Sequence, residues 1–590
     1  MVLPNTAVIL KLCLTWLMVV GFSTAEPYPL LGPIYPAPIN LPAEAAIQSA
    51  AANLSKELNL ALTLGQSPLG NITANSTSLS VFIVSAADDR TLFDFNFGSP
   101  DLNTTGTTNV TADLVYRIGS ISKLFTVYAL LLNAGGFERW DDPVTKYIPE
   151  LRSAAADFHD NPVDRVDWDS VTLGALASQL SGIGRDYNNA DLTSQNLPLQ
   201  QMGLPPIPSS DVPTCAGNDS LPPCSRKQFF DGFTKRHPVF ASETASTYSN
   251  SAFRILGYVL EAITGQSYEE VVDQSIIKPL DLTGTSVFLP TNTSLGVIPL
   301  GDSGFFRDFG DEAATGGIYS STRDLATLDS AILKNKYLSS LETRRWLKPI
   351  SHTSALTFSV GGPWEIWRTR SNIVDGHVVD LYTKSGSTES YSSLVILLPD
   401  YDVAISILAA GPAGNVVNIA ADMAVQTFLP VLEQAAKQQG CKKFCGRYVS
   451  RDASRNSSLT ISIDDGPGLL IQEWISNGVD IHAAAQQYAT ATGGGLVKSI
   501  RLYQTDLSQQ SRKRNETTVV AYRAIFETET VSTGPGQPPR IFNPDIATWG
   551  TVDQLMYGDI ALDDFDFYVD GNESATAIKP RALREVFYKQ

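Results

Sequence analysis

Hydrophobic and polar positions change their rhythm several times along the 590-residue chain. Residues 43–64 repeat apolar positions at helical spacing, and residues 80–97 read as two strands meeting at Asp88-Asp89. From Ile121 to Leu132 the run is almost wholly apolar, as in a helix buried on all sides, and Gly135-Gly136 supply its stop. Residues 170–184 predict a short helix ended by glycine. Residues 185–239, rich in Asn, Pro, Gln and Ser, have no strong period. Helical periods return at 253–264, closed by Gly265, and in the second half of 313–333, opened by Ser321-Thr322. A strand at 378–383, a hairpin of 393–399 and 403–409, and a long helix at 415–438 follow. Strands before and after a helical middle predict one sheet completed by both ends of a domain.

Beyond Cys445 the rhythm is that of short strands, at 459–463, 468–474, 497–503 and 517–526, separated by turns such as Gly534-Pro535-Gly536. A separate all-β domain is expected there. The organisation read from the chain is therefore a leader at 1–25, an N-terminal extension at 26–79, a main domain at 80–440 and a C-terminal β-rich domain at 441–590.

The leader has one lysine, Lys11, an apolar core from Leu12 to Phe22, and small residues Ser23-Thr24-Ala25, the pattern of a cleaved secretory signal. No later run is expected to span a bilayer, so a secreted protein free of the membrane after cleavage is predicted. A formal net charge of −18 argues against nucleic acid or an anionic membrane as partner. Asn53, Asn71, Asn75, Asn103, Asn109, Asn218, Asn292, Asn456, Asn515 and Asn572 each head an Asn-x-Ser/Thr sequon, consistent with a secreted glycoprotein. Cys13 leaves with the leader, and the remaining four cysteines can pair in three ways. Local disulfides, Cys215 with Cys224 and Cys441 with Cys445, are expected because each pair brackets a short loop. The five histidines offer no ligand spacing near these thiols, and neither metal nor cofactor is expected.

Candidate chemistry begins at the apolar helix. Ser120 and Lys123, three apart, share one helical face, so an amine can sit beside a hydroxyl near free backbone N–H groups. A capping serine and a snorkelling lysine have the same spacing, so the pair gains meaning only from two later motifs. These are Tyr248-Ser249-Asn250 and Lys384-Ser385-Gly386.

In this order the three motifs resemble those of the serine β-lactamase and penicillin-binding-protein superfamily, with Tyr-x-Asn closest to the class C β-lactamases and their esterase, peptidase and acyltransferase relatives. Asp141-Asp142-Pro143-Val144, Leu180-Ser181-Gly182 and Gly316-Gly317-Ile318-Tyr319-Ser320 extend the likeness, which resembles fungal secreted members most. The resemblance implies an α+β fold, an antiparallel sheet flanked by helices plus a helical region, ahead of the C-terminal all-β domain. It also implies an acyl-enzyme at Ser120, with Lys123, Tyr248, Asn250 and Lys384 in catalytic roles and Ser385, Gly386 and Ser387 contacting a small ester, amide or lactam. The amides of Ser120 and Ser387 would form the oxyanion hole. Other readings of the same motifs are an acyltransferase, a D-peptidase, or a silent binding protein of this fold. Residues 185–239 are expected to cover the cleft mouth as a lid, with Leu197, Leu204, Pro205 and Ile207 as its apolar underside.

Overall fold

The computed structural model describes residues 29–73, 76–158, 161–217, 221–301, 304–370, 377–412, 415–510, 517–529 and 548–590. The leader, Asn75, Asn218, Asn515 and the Gly534-Pro535-Gly536 turn lie outside these. The described residues divide into two compact units, one formed mainly by residues 37–436 and the other mainly by residues 437–590 with residues 29–36.

The larger unit begins with helix α1 (Ala45–Leu64), whose Ile47, Leu54, Leu58 and Leu62 are buried at helical spacing. Its sheet has eight strands among the described residues: β1 (Ser78–Ser85), β2 (Arg90–Phe97), β3 (Ser351–His352), β4 (Phe358–Val360), β5 (Glu365–Arg370), β6 (Val378–Thr388), β7 (Tyr391–Leu398) and β8 (Val403–Ala410). They are ordered β2-β1-β8-β7-β6-β5-β4-β3, and every neighbour is antiparallel. The hairpin of β1 and β2 is thus joined to β8, so both ends of the domain complete one sheet as the sequence predicts. Strands β1 and β8 are buried along their whole length, which places them centrally between packed layers.

Helix α2 (Ser122–Asn133) has every residue from Ser122 to Leu131 buried. It opens one residue later than the apolar run suggests, because Gly119–Ile121 form a single 3₁₀ turn that carries Ser120. Gly135 and Gly136 both take positive φ after its end. The helix expected at 170–184 is shorter, Leu173–Ala177, and the reversal behind it uses Gln179 at φ 65° instead of a glycine. Helix α3 (Arg226–Phe233) was not anticipated inside the non-periodic segment. Helix α4 (Asn250–Thr264), capped by the Ser249 side chain and closed by Gly265, and α5 (Thr322–Leu333), capped by Ser321, match their predicted positions. The helix after β8, α6 (Val416–Phe444), is long and apolar enough to cross a membrane by length and composition alone, contrary to the expectation that no later run would be. Most of that stretch is buried, as in a core helix.

The smaller unit contains β9 (Gly446–Ser450), β10 (Ser458–Ser462), β11 (Leu469–Ser476), β12 (Leu496–Gln510), β13 (Thr518–Glu529), β14 (Asp564–Val569), β15 (Ala575–Pro580) and β16 (Phe587–Lys589). Their order is β10-β9-β16-β15-β14-β13-β12-β11, and β11 pairs again with β10. Among the described residues the sheet therefore closes into an antiparallel barrel of eight strands, with a ninth, two-residue strand, Val479–Asp480, paired to β11. Aromatic rings of Phe444, Tyr448, Tyr522 and Phe567 pack together, and Trp474 packs on Phe565. Helix α7 (Ile481–Ala491) interrupts the expected all-β pattern.

Both local disulfides are present, Cys215–Cys224 and Cys441–Cys445, with Cα atoms 4.9 and 4.7 Å apart. Asn53, Asn71, Asn109, Asn292, Asn456 and Asn572 are exposed, and Asn103 is half-buried.

Candidate active site

The 3₁₀ turn before α2 sets Ser120 half-exposed at the edge of the core, while the next turn points Lys123 inward, where it is fully buried. Burying an amine is costly unless its hydrogens find acceptors. Three lie in reach of Lys123 Nζ: Ser120 Oγ at 3.0 Å, Asn250 Oδ1 at 2.7 Å and the Thr315 carbonyl at 2.6 Å. The last two can only accept. A neutral amine gives both of its hydrogens to them and keeps its lone pair for the Ser120 hydroxyl.

On the other side of Ser120, the Tyr248 hydroxyl stands 2.7 Å from Oγ. Tyr248 precedes α4, whose first residue is Asn250, so the N-terminus of one helix delivers two of the groups around Lys123. The orientation of the Asn250 amide is fixed from behind. Its Nδ2 donates to Asp186 Oδ1 at 2.7 Å, and a carboxylate can accept but not donate, so Oδ1 must face the lysine. Asp186 was not among the residues picked out from the sequence.

The third motif lies on β6 as expected. Lys384 is buried, with Nζ 5.4 Å from the Tyr248 ring centre. It forms an ion pair with Glu365 of β5, whose second oxygen accepts from the Ser385 amide at 2.8 Å. Glu365, also absent from the sequence-based set, sits opposite Thr383 in the β5–β6 register. Gly386 is required by close approach: a Cβ there would stand 2.1 Å from the Ile118 carbonyl oxygen and 3.0 Å from the Ser120 amide nitrogen. A Cβ on Gly119, at φ +50°, would meet the Ser387 amide nitrogen at 2.7 Å. The two glycines thus press β6 against the Ser120 turn and bring the Ser120 and Ser387 amides to one seam. Ser385 and Ser387 are exposed.

Electrostatics follow from this packing. Burial lowers the Lys123 ammonium, and the Lys384 charge lowers it further, against the opposing influence of Tyr248. Burial alone would raise the Tyr248 phenol, but the charges of Lys123 and Lys384 and its bond to Ser120 overcome this and bring it to about 8. Lys384 itself is pulled down by burial and held above the ordinary lysine value by Glu365. The site therefore holds one lysine poised to be neutral beside one kept charged.

The 185–239 segment does not form the expected apolar underside. Leu197, Leu204, Pro205 and Ile207 are all exposed. This part of the chain bonds to itself, with Met202 N donating to Pro198 O and Leu204 N to Leu199 O, and offers no repeated apolar face to pack. It is anchored on α4 at its start, Arg185, and at Cys224. The Arg185 carbonyl accepts from the amides of Asn250 and Ser251, and Arg254 donates to the Cys224 carbonyl at 2.6 Å. Among the described residues no group of three or more His, Cys, Asp or Glu is placed to hold a metal.

Residues 70–427 match the family model described as "Beta-lactamase", and residues 435–590 match one described as "Beta-lactamase-like-like, C-terminal domain". A "Beta-lactamase-like protein" of Arthroderma benhamiae is 31% identical over 566 residues, covering 91% of this chain and 92% of that one. A "Probable hydrolase M10" of a Phoma species is 27% identical, covering 79% and 77% respectively. Among solved structures, a β-lactamase/D-alanine carboxypeptidase from Pseudomonas syringae has 18% identity and a TM-score of 0.47, covering 65% of this chain and 99% of that one.

Proposed function

Because the chain belongs to the β-lactamase family and is a hydrolase of that fold, we propose that it is a secreted serine hydrolase that forms an acyl-enzyme at Ser120 and cleaves small esters or amides. One observation carries the reading: Ser120 Oγ lies between Lys123 Nζ at 3.0 Å and Tyr248 Oη at 2.7 Å. A serine hydroxyl needs a base as it attacks a carbonyl, and two candidates touch it here.

In the proposed cycle neutral Lys123 takes the Ser120 proton as Oγ bonds to the substrate carbonyl carbon. The carbonyl π electrons move to oxygen, and the Ser120 and Ser387 amides stabilise that oxyanion. Tyr248 relays the proton to the leaving oxygen or nitrogen as its bond to carbon breaks. Water then attacks the ester on Ser120, losing its proton through the same pair, and the acid departs. Lys384, held charged by Glu365, keeps Lys123 and Tyr248 low enough to act as bases.

A fluorophosphonate probe tests the nucleophile. Labelling of the wild type and not of Ser120→Ala supports the proposal; an unlabelled wild type rejects it. A panel of p-nitrophenyl esters, a cephalosporin and D-amino-acid amides then fixes the substrate class.

A further inference from the structure

The Thr315 carbonyl that accepts from Lys123 lies in a single π-helical turn, Ala313–Gly317. Such turns are rare and recur at functional sites. Two consecutive carbonyls of this one face α2: Ala314 O accepts from Thr126 Oγ1 at 2.7 Å and Thr315 O from Lys123 Nζ at 2.6 Å. Buried arginines hold the turn at both ends. Arg117 Nη1 donates to the Gly317 carbonyl at 3.0 Å. At the other end Arg254 Nη1 donates to Glu312 Oε1 at 2.9 Å. The Thr315 hydroxyl also donates toward Glu312, 3.2 Å from Oε2 and 2.9 Å from the carbonyl oxygen.

Arg254 projects from α4 with its side chain 2% exposed. Its other donors reach Tyr258 Oη at 3.0 Å, the Cys224 carbonyl at 2.6 Å and Asp311 Oδ2 at 3.4 Å, and its Cζ lies 4.3 Å from the centre of the Phe229 ring. These acceptors, Glu312 and the ring face together fix the plane of the guanidinium, which a lysine, as a point charge, would not reproduce. Cys224 and Phe229 both belong to the segment 185–239, so that segment sets the place of Arg254, and Arg254 sets the place of Glu312. Burying such an ion pair is often no more stabilising than an apolar replacement. What it supplies here is a fixed geometry beside the turn that carries the Lys123 acceptor.

We propose that Arg254 is a positioning residue for the reaction: seated on the Cys224 carbonyl, it fixes Glu312, Glu312 fixes the Thr315 hydroxyl, and the Thr315 carbonyl is thereby kept on Lys123. Asp186 does the same for Asn250 from the start of the segment. Residues 185–239 then brace both acceptors that make Lys123 present its lone pair to Ser120. This rests on the acyl-enzyme reading for the use made of Lys123 but not for the contact itself. The two are therefore tested separately.

Thr315→Val keeps the volume, the charge and the carbonyl and removes only the hydroxyl, which Thr315→Ser restores. The maximal rate of Ser120 labelling by a fluorophosphonate should fall roughly tenfold in Thr315→Val, with the half-saturating probe concentration unchanged, and stay within about twofold of wild type in Thr315→Ser. Arg254→Met should lose a similar factor, and the double variant Arg254→Met/Thr315→Val no more than the larger single loss, because both cut one chain of contacts. An Arg254 that only holds the disulfide loop on α4 gives normal labelling of Thr315→Val, or losses that multiply in the double variant, and either result overturns the proposal. Should Arg254→Met not fold, Glu312→Gln takes its place, since its one oxygen must serve both partners; a loss of about threefold with the same non-additivity is expected. The contact is read without activity from a crystal structure of Thr315→Val, in which the residue 315 carbonyl should lie beyond about 3.5 Å from Lys123 Nζ. A contact kept at its wild-type length overturns the proposal whatever the rates. An opened contact with an unlabelled wild type rejects the acyl-enzyme reading alone.

Discussion

Replacing Asp186 by asparagine removes one charge and almost no volume, and tests whether the Asn250 amide is held in a single orientation. In the wild type, the 2.7 Å bond from Asn250 Nδ2 to a carboxylate fixes Oδ1 on Lys123. An asparagine at 186 can offer either a donor or an acceptor, so the flipped amide becomes accessible. The flipped form turns an N–H toward Lys123, where it competes with the Ser120 hydroxyl for the amine lone pair. A hydrogen bond to a charged group contributes about 1.5 to 3 kcal/mol, which at about 1.4 kcal/mol per decade corresponds to a loss of roughly ten- to a hundredfold. The assay is the rate of fluorophosphonate labelling and kcat/KM for a neutral ester, each from pH 5 to 10, with calorimetric unfolding as control. The shape of the profile carries the specific signature. The flipped amide no longer accepts from the ammonium, so Lys123 loses its proton more readily and the acidic limb moves to lower pH while the plateau falls. A rate within twofold of wild type, or a lower plateau with an unmoved limb, would refute the orienting role.

Lys123→Ala should lower acylation by roughly 10²- to 10⁴-fold with the fold retained on circular dichroism, and retained acylation would make Tyr248 the base. For the wild type, activity should be lost as pH falls through the coupled titration of Lys123 and Tyr248. That limb should lie well below 10.5, because burial lowers the lysine and the phenol sits at about 8; a limb near 10 in the kcat/KM profile would contradict this. Asp329, buried in α5 and among the described residues bonded only to Ser406 Oγ at 3.4 Å, is raised well above the ordinary carboxyl value by burial. The folded chain therefore keeps a proton that the unfolded chain has released above about pH 4, so this group's contribution to stability declines as pH rises from there toward its folded value. Asp329→Asn should flatten that decline and raise the melting temperature at pH 8 more than at pH 5, and an equal shift at both would exclude titration as the cause.

What could be read from the chain was governed by distance along it. Ser120 and Lys123 lie within one turn, and Tyr248 and Asn250 sit at one helix start, so local spacing displays their geometry. Glu365 meets Lys384 only through strand register, and Asp186 meets Asn250 only because a loop folds back on α4; neither contact leaves a period or a motif. Helix α3 had a readable signal, the reciprocal cap of Ser225 and Gln228, which its polar surroundings obscured. The Ala-rich α7 was likewise legible from Asp480, whose side chain caps it. Closure of the barrel depends on β10 meeting β11 while β9 and β12 to β16 complete the circuit, and separate strand predictions do not contain that condition. The four apolar residues expected beneath the lid are exposed for a different reason: no helical or strand repeat aligns them on one face.

The pairing of β1 with β8 sets a timetable for synthesis. Ser85 faces Val403 across that register, so the hairpin made first waits for a partner 318 residues downstream. At about 5 to 20 residues per second, translation takes on the order of tens of seconds to supply it. For most of that interval the apolar α2 is already made while the strands β6 to β8 are still to come. During it the nascent chain exposes apolar surface that can associate with other chains. Shortening the helical middle would reduce that exposure, whereas slowing translation across it would lengthen the period in which aggregation competes with folding.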